Sequence, residues 1–509
     1  MLTYSFDHIG KETLYEHLYN EIRQDIENGS LKAGEKLPSK RALAEHLSIS
    51  TVTVENAYAQ LATEGYIRSV PRSGFYVADI GSLFMQQKKK ELETKPETRP
   101  KASWRIQPEA QPTAQAERRN ETQESGRYFA DFSSNQTEPG SFPFSVWAKL
   151  SRNILSTRQA ELMTNPPAGG VMELRSAIAR HLSAFRGLNV QPEQVIIGAG
   201  TEYLYGLLIL LLGFDKTYAF ENPGYRKFEK ILKEYGVHSV AVAVDEQGLS
   251  VDELEKTGAD VAHATVSHHF PTGITMPIAR RSKLLSWAAE KTQETGPAGG
   301  DAHTEAGMPL GRYIIEDDYD SEFRMTGRPL PALAGMDPYG CVIYMNTFTK
   351  SLSSTVRVSY MILPEKLLDE FQRRLGFYSC TVSTFEQYTL SEFIEQGYFE
   401  KHINRMRMKN RKKRDRMLKL IAEGPLGKKA EISGEDAGLN FLLRIKSKKS
   451  PGQIQTQLEE QGIRLPLLED GRTFLVNYSS VPMERIETAI RIMAQTANQD
   501  DGRSPEISR

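Results

Sequence analysis

Cysteine is almost missing from this sequence: Cys341 and Cys380 are the only two in 509 residues. A disulfide framework is thereby excluded, and the usage fits a reducing cytosol. Long apolar runs are missing too. The longest, Tyr203 to Phe214, falls well short of the roughly 20 residues that a membrane-spanning helix needs, so it reads as a buried core helix. The start, Met1 to His8, has neither a charged region nor an apolar one of the kind that opens a secretory signal, and a cytoplasmic protein is expected. Net charge is absent as well: 64 Lys and Arg stand against 65 Asp and Glu, for −1 overall. Any nucleic-acid-binding surface must therefore be local. No metal site is expected.

What is present is length for two or three domains and an ordered series of motifs. Two short apolar runs, Ile314-Ile315 and Val342 to Met345, read as buried parallel strands. Each delivers polar residues at its C-terminal end, where open α/β sheets place their ligand crevice. That crevice gathers Asp317, Tyr319, Thr347, Thr349, Lys350 and Arg357. The set suits pyridoxal 5'-phosphate: a lysine amine for the Schiff base, a carboxylate for the ring nitrogen, and hydroxyls with an arginine for the phosphate. Upstream, Gly198-Ala199-Gly200-Thr201 turns directly into a helix, whose free N–H groups suit an anion. Tyr225 and Arg226, in Glu221-Asn222-Pro223-Gly224-Tyr225-Arg226, are candidates respectively for the ring or substrate and for a substrate carboxylate; the alternative is a loop that packs and caps the following helix.

The N-terminal stretch has a different pattern. Leu14, Leu18, Ile22 and Ile26 mark an amphipathic helix ended by Asn28-Gly29. Ser39 caps a helix through Leu47, Ser50 or Thr51 opens another to about Glu64, and Gly65–Arg68 with Gly74–Val77 form a two-stranded wing. From 79 to 127 the composition turns to Gln, Glu, Lys, Pro and Thr, which reads as a flexible linker, helical at most near Leu83 to Leu92. The three regions are thus 10–78, 79–127 and 128–498. Within the last, 292–311 reads as a surface insertion and the basic run Asn404 to Arg416 as a solvated helix face. Residues beyond Asn498 read as a frayed tail.

The order Gly-x-Gly-Thr, then Asp317 and Tyr319, then Thr347-Phe348-Thr349-Lys350 resembles the fold type I aminotransferase superfamily. Ile315-Glu-Asp-Asp-Tyr-Asp-Ser-Glu-Phe323 is similar to the MocR/GabR group in particular. Leu37-Pro-Ser-Lys-Arg-Ala-Leu-Ala44 and Pro71-Arg-Ser-Gly-Phe75 resemble the GntR winged helix-turn-helix. The resemblance implies an α/β domain with a large, mostly parallel sheet and a small C-terminal α/β domain behind a DNA reader. It assigns the internal aldimine to Lys350, the ring nitrogen to Asp317, and the ring's phenolic oxygen to Tyr319. Thr347, Thr349, Arg357 and the Gly200-Thr201 backbone fall to the phosphate.

For the reader the resemblance implies Ser50, Thr51 and Thr53 at base edges, with Lys40, Arg41, Arg68 and Arg72 on phosphates. Two departures from the family pattern stand out. Phe270 replaces the Asn of Asn-Pro-Thr-Gly; the neighbouring His268 or His269 is a candidate for the donor that Asn would supply, against the usual surface position of turn histidines. Phe474 to Tyr478 stands where many relatives read Arg-Leu-Ser-Phe, leaving Arg444, Arg464 and Arg472 for an effector carboxylate. The implied function is a regulator of double-stranded operator DNA that senses an amino acid or amine through an external aldimine. The alternative is a working aminotransferase with a DNA-binding appendage. A homodimer is implied. A coil of about fifty residues spans roughly 35 to 45 Å, so exchange of readers between protomers is allowed.

Overall fold

The computed structural model describes residues 13–47, 49–71, 73–80, 128–133, 138, 140–294, 311–324, 331–435 and 438–498, with Leu2, Tyr4 and Phe6. The expectations for Arg72, for 81–127, for most of the 292–311 insertion and for the tail after 498 fall outside these residues.

The N-terminal unit begins with α1 (Leu14–Glu27), where the Thr13 N–H donates to Glu16 Oε2 at 2.7 Å. Leu18, Ile22 and Ile26 point inward, whereas Leu14 is exposed. α2 (Lys40–His46) starts where Ser39 Oγ accepts from the Ala42 N–H, and α3 (Thr51–Glu64) where Ser50 Oγ accepts from Thr53. Each cap satisfies an amide that the first turn leaves without a partner. Gly65, at φ +79°, ends α3 in the left-handed conformation that glycine adopts without strain. The wing is β1 (Ile67–Val70) antiparallel to β2 (Gly74–Val77).

This small core does not close on itself. Ile278 of the large domain is buried within it, and Met336 packs against it. A Cβ added at Gly65 would lie 2.8 Å from Pro277 Cβ, so glycine also permits a close approach between the two units.

The large domain is built on β3 (Val195–Gly198), α4 (Thr201–Leu212), β4 (Tyr218–Asn222), β5 (Ser239–Asp245), β6 (Gly248–Leu249), β7 (Val261–Ala264), α5 (Ile278–Glu294), β8 (Tyr313–Asp317), β9 (Val342–Thr347) and β10 (Ser359–Ile362). Sheet order is β3-β10-β9-β8-β7-β4-β5-β6. β10 runs against both of its neighbours and β6 against β5, and the remaining pairs are parallel. β3, β7, β8, β9 and β10 are buried at every position, because helices cover both faces; hence their continuous apolar runs. α4 is the buried helix that the Tyr203–Phe214 run predicts: Leu204, Leu207, Leu208, Ile209, Leu211 and Leu212 are all in the core.

Register positions the crevice. Met345 lies opposite Asp317. Thr347 lies opposite Ser359, and Ser359 opposite Gly198. The start of the glycine turn and the end of β9 therefore share one row at the same edge of the sheet.

The chain then runs through α6 (Tyr398–Glu423) into a small domain with the antiparallel sheet β11 (Ala430–Ser433), β12 (Asn440–Ile445) and β13 (Phe474–Asn477). The basic run forms the solvated face expected of it only in part: Asn404, Arg405, Arg411, Lys412 and Arg416 are exposed, but the opposite side of the helix is buried. Lys413 and Arg414 are buried. Lys413 and Lys409 both pair with Glu138, at 2.7 and 2.8 Å, and Arg407 donates to the Glu322 carbonyl. These charges have fixed partners because α6 crosses the interior: Phe399 and Ile403 belong to the large-domain core, Met417 and Ile421 to the small-domain core.

Candidate cofactor pocket and DNA-reading surface

The C-terminal ends of β8 and β9 and the N-terminus of α4 open onto a cavity of about 290 Å³. Asp317, Tyr319, Thr347, Thr349, Lys350, Arg357, Thr201 and Tyr225 all line it, and Gly200 stands directly behind Arg357. The residues expected to hold the cofactor are thus gathered around it, whereas the arginines expected for a ligand carboxylate are not.

Asp317 ends β8 and is buried. Its Oδ2 accepts from the Tyr205 hydroxyl at 2.8 Å; Tyr205 in turn lies 2.9 Å from His263 Nε2. Tyr205 has one hydrogen, which goes to the carboxylate, so His263 donates to Tyr205. Asp317 Oδ1 is buried with no hydrogen-bond partner among the described residues. Tyr205 was not foreseen. The signal was available, because it follows Thr201 by four residues on a helix and therefore shares its face.

Thr347 begins the one-turn helix Phe348–Ser351, its Oγ1 accepting from the Thr349 N–H at 3.1 Å and from Ser359 Oγ at 2.8 Å. That turn sets Lys350 against the cavity. Burial lowers its amine to about 8, although the nearby Asp320 carboxylate acts to raise it. Arg357 is the only non-glycine residue with positive φ, +52°, among the described residues. Such strain persists where surrounding contacts impose it, and here its Nη2 donates to Glu202 Oε2 at 2.7 Å. Partial burial would raise the Glu202 carboxyl, but hydrogen bonds from Lys227 and Arg357 bring it down to about 2. Gly200, at φ +95°, leaves room for this guanidinium, which an added Cβ would strike.

His268 and His269 are not surface residues; both are buried. His268 Nδ1 lies 2.8 Å from Asp320 Oδ2, and His269 Nδ1 lies 2.7 Å from Thr272 Oγ1. Phe270 lines the cavity. Arg226 pairs with Glu469, from the small domain. None of the three candidate arginines of the small domain lines the cavity. Arg444 is held by Thr473 and Asp470, Arg464 lies over the Tyr128 ring, and Arg472 is exposed. Leu439, Asn440, Leu475 and Asn477 form that wall instead.

The reading surface is open by contrast. Thr51 and Val52 are exposed at the start of α3, while Ser50 and Thr53 are joined side chain to side chain at 2.8 Å by the cap. Arg41 is exposed; Lys40 pairs with Glu55 at 2.6 Å. Arg68 lies over the Tyr76 ring at 5.5 Å.

Residues 14–77 match the family described as bacterial regulatory proteins, gntR family. The chain is 38% identical over 452 residues to the uncharacterized HTH-type transcriptional regulator YdeL of Bacillus subtilis (strain 168), covering 89% of this chain and 88% of that one. It is 30% identical over 437 residues to the probable rhizopine catabolism regulatory protein MocR of Rhizobium meliloti, covering 85% and 82%. The chain belongs to the MocR-type GntR regulators. In this MocR-type regulator the part behind the reader has the aminotransferase fold. The multiple substrate aminotransferase from Thermococcus profundus superposes with a TM-score of 0.61 at 23% identity, covering 74% of this chain and 92% of that one. The regulator is therefore a DNA-binding protein whose larger part has an aminotransferase-like fold, and no described helix is long and apolar enough to cross a membrane.

Proposed function

We propose that this regulator carries pyridoxal phosphate on Lys350 and reads an amino-group metabolite, an amino acid or an amine, in the same pocket. The observation that carries the reading is Asp317 Oδ1, a buried carboxylate oxygen without a partner on the wall of a cavity. Leaving such an acceptor unsatisfied costs about 1–3 kcal/mol, and the N–H of a protonated pyridine ring would remove that cost. When bound, the cofactor supplies an electron-withdrawing ring and a carbon at which amines exchange. Lys350 serves as the anchoring amine, Tyr319 and Tyr225 flank the ring, and Thr347, Thr349, Arg357 and the Gly200-Thr201 backbone receive the phosphate.

One segment supports communication with the reader. Thr265 and Phe270 line the cavity, and Gly273 abuts Gly434 of the small domain so closely that a Cβ would come within 2.8 Å of it. Pro277 and Ile278 carry the winged helix. Arg281 fastens the segment by donating to the carbonyls of Val266, Met276 and Pro331. A buried Ile contributes roughly 1.5–3 kcal/mol, comparable to an ordinary allosteric coupling of about 1–3 kcal/mol. Reseating Ile278 is thus enough to bias the reader.

On this reading 10–78 is the reader, 79–127 the tether and 128–498 the sensor of a cytoplasmic protein. The exposed side chains Phe144 and Phe377 suit contact with a second copy, and a two-fold dimer would present paired readers to paired half-sites. The test is an absorbance spectrum of the purified protein with a panel of amines and amino acids, run beside operator binding. A near-visible band that an amine shifts, with a parallel change in DNA affinity, is expected. Steady release of a keto acid would favour the aminotransferase alternative, to which Lys350 and Asp317 are also suited; no band at all would reject the cofactor.

A further inference from the structure

Behind Tyr319 stands a polar pair that none of the roles above uses. The Tyr319 hydroxyl lies 3.1 Å from His268 Nδ1, and the same nitrogen lies 2.8 Å from Asp320 Oδ2. Histidine and aspartate are 4% and 3% exposed, so neither can exchange its partner for bulk water. Small-domain backbone closes over them: a Cβ at Gly438 would collide with the His268 ring and lie 2.6 Å from Asp320 Oδ2. The other ionisable groups facing the cluster are Asp317, Glu221, Lys350, His269 and Tyr478.

The distances decide where the hydrogens lie. A carboxylate oxygen only accepts, so at 2.8 Å the Nδ1 hydrogen of His268 is directed to Asp320. The Tyr319 oxygen then meets a hydrogen on that nitrogen and not a lone pair, so Tyr319 cannot donate to it. We propose that His268 and Asp320 are positioning residues that act through Tyr319, leaving its hydroxyl hydrogen free to be donated to the ring oxygen of the bound cofactor. This rests on the cofactor reading above. The Asp320 carboxylate is itself within hydrogen-bonding reach of the Tyr319 hydroxyl, so the His268 N–H competes with Tyr319 for it; without His268, Asp320 takes the Tyr319 hydrogen and the ring oxygen loses its donor. A ring oxygen deprived of that donor holds the proton of the adjacent lysine–cofactor linkage more tightly.

The test is a pH titration of the near-visible absorbance band in the full-length, cofactor-loaded protein. Tyr319→Phe should raise the midpoint by about one pH unit, as for loss of one hydrogen bond to a charged acceptor. His268→Leu should raise it similarly, and the double variant should rise no further than Tyr319→Phe alone. His268→Asn places an amide N–H near the position of Nδ1 and should return the midpoint toward that of the unsubstituted protein. An unchanged midpoint in His268→Leu, or a further rise when His268→Leu is added to Tyr319→Phe, would overturn the inference while leaving the cofactor in place. A protein that shows no band to titrate would overturn the cofactor reading itself, and this inference with it.

Discussion

The pocket and the reading surface are built on opposite principles. One oxygen of the Asp317 carboxylate is matched inside the protein, through Tyr205 and His263, and the other is buried with no partner among the described residues, on the wall of a cavity. At the start of α3 the hydroxyls of Ser50 and Thr53 serve the helix itself, and Thr51, Val52 and Arg41 face solvent. Electrostatics in the interior are strong and specific; those at the surface are weak and screened by salt. A chemical event in the pocket is therefore set by single atoms, and recognition of DNA by a sum of small contacts.

Lys350→Ala is the most direct way to break that comparison. We expect complete loss of the near-visible band with the fold retained, checked by absorbance and circular dichroism; a band surviving dialysis would place the anchor elsewhere. Asp317→Asn should weaken retention of the cofactor by roughly 10- to 100-fold, as for loss of one charge-assisted hydrogen bond, measured by titrating the apoprotein with cofactor. The rate of cofactor capture should depend on pH in a direction set by Lys350. Its amine is lowered to about 8, so the neutral, reactive form predominates above that pH and falls about tenfold per unit below it. Stopped-flow mixing would show this; a midpoint near that of an ordinary lysine would deny the burial.

At the surface, effects should be smaller and should vary with salt. Arg41→Ala or Arg68→Ala should lower affinity for every DNA sequence and reduce the salt slope by about one, read by fluorescence anisotropy across ionic strengths. Thr51→Ala should change base preference by about 1 kcal/mol or less. Ser50→Ala should act through the cap on α3, where Ser50 Oγ accepts from the Thr53 N–H, costing about 1 kcal/mol of stability, measured by thermal denaturation.

The same contrast governs what could be read from sequence. The strands that end at Asp317 and just before Lys350 were legible because burial on both faces writes continuous apolar runs, and Ser39 and Ser50 because a cap is a local motif. Non-local partnerships were not legible. Lys413 looked like a solvated charge because its partner Glu138 lies 275 residues away. His268 looked like a turn histidine because Asp320, which permits its burial, is 52 residues downstream. The approach of Gly65 to Pro277 left no trace in either segment.

Helix α6 has a mechanical consequence. Its 26 residues, at about 1.5 Å each, make a rod of roughly 39 Å whose first turns are set in the large-domain core and whose last are set in the small-domain core. The two domains thus share a beam and not merely a hinge. Rotation of the small domain over the pocket must flex that beam or pull its buried lysine and arginine off their anchors, so the stiffness of one helix limits how far the pocket can close. A break in the middle of α6 should loosen that limit without touching a single residue that faces the cavity.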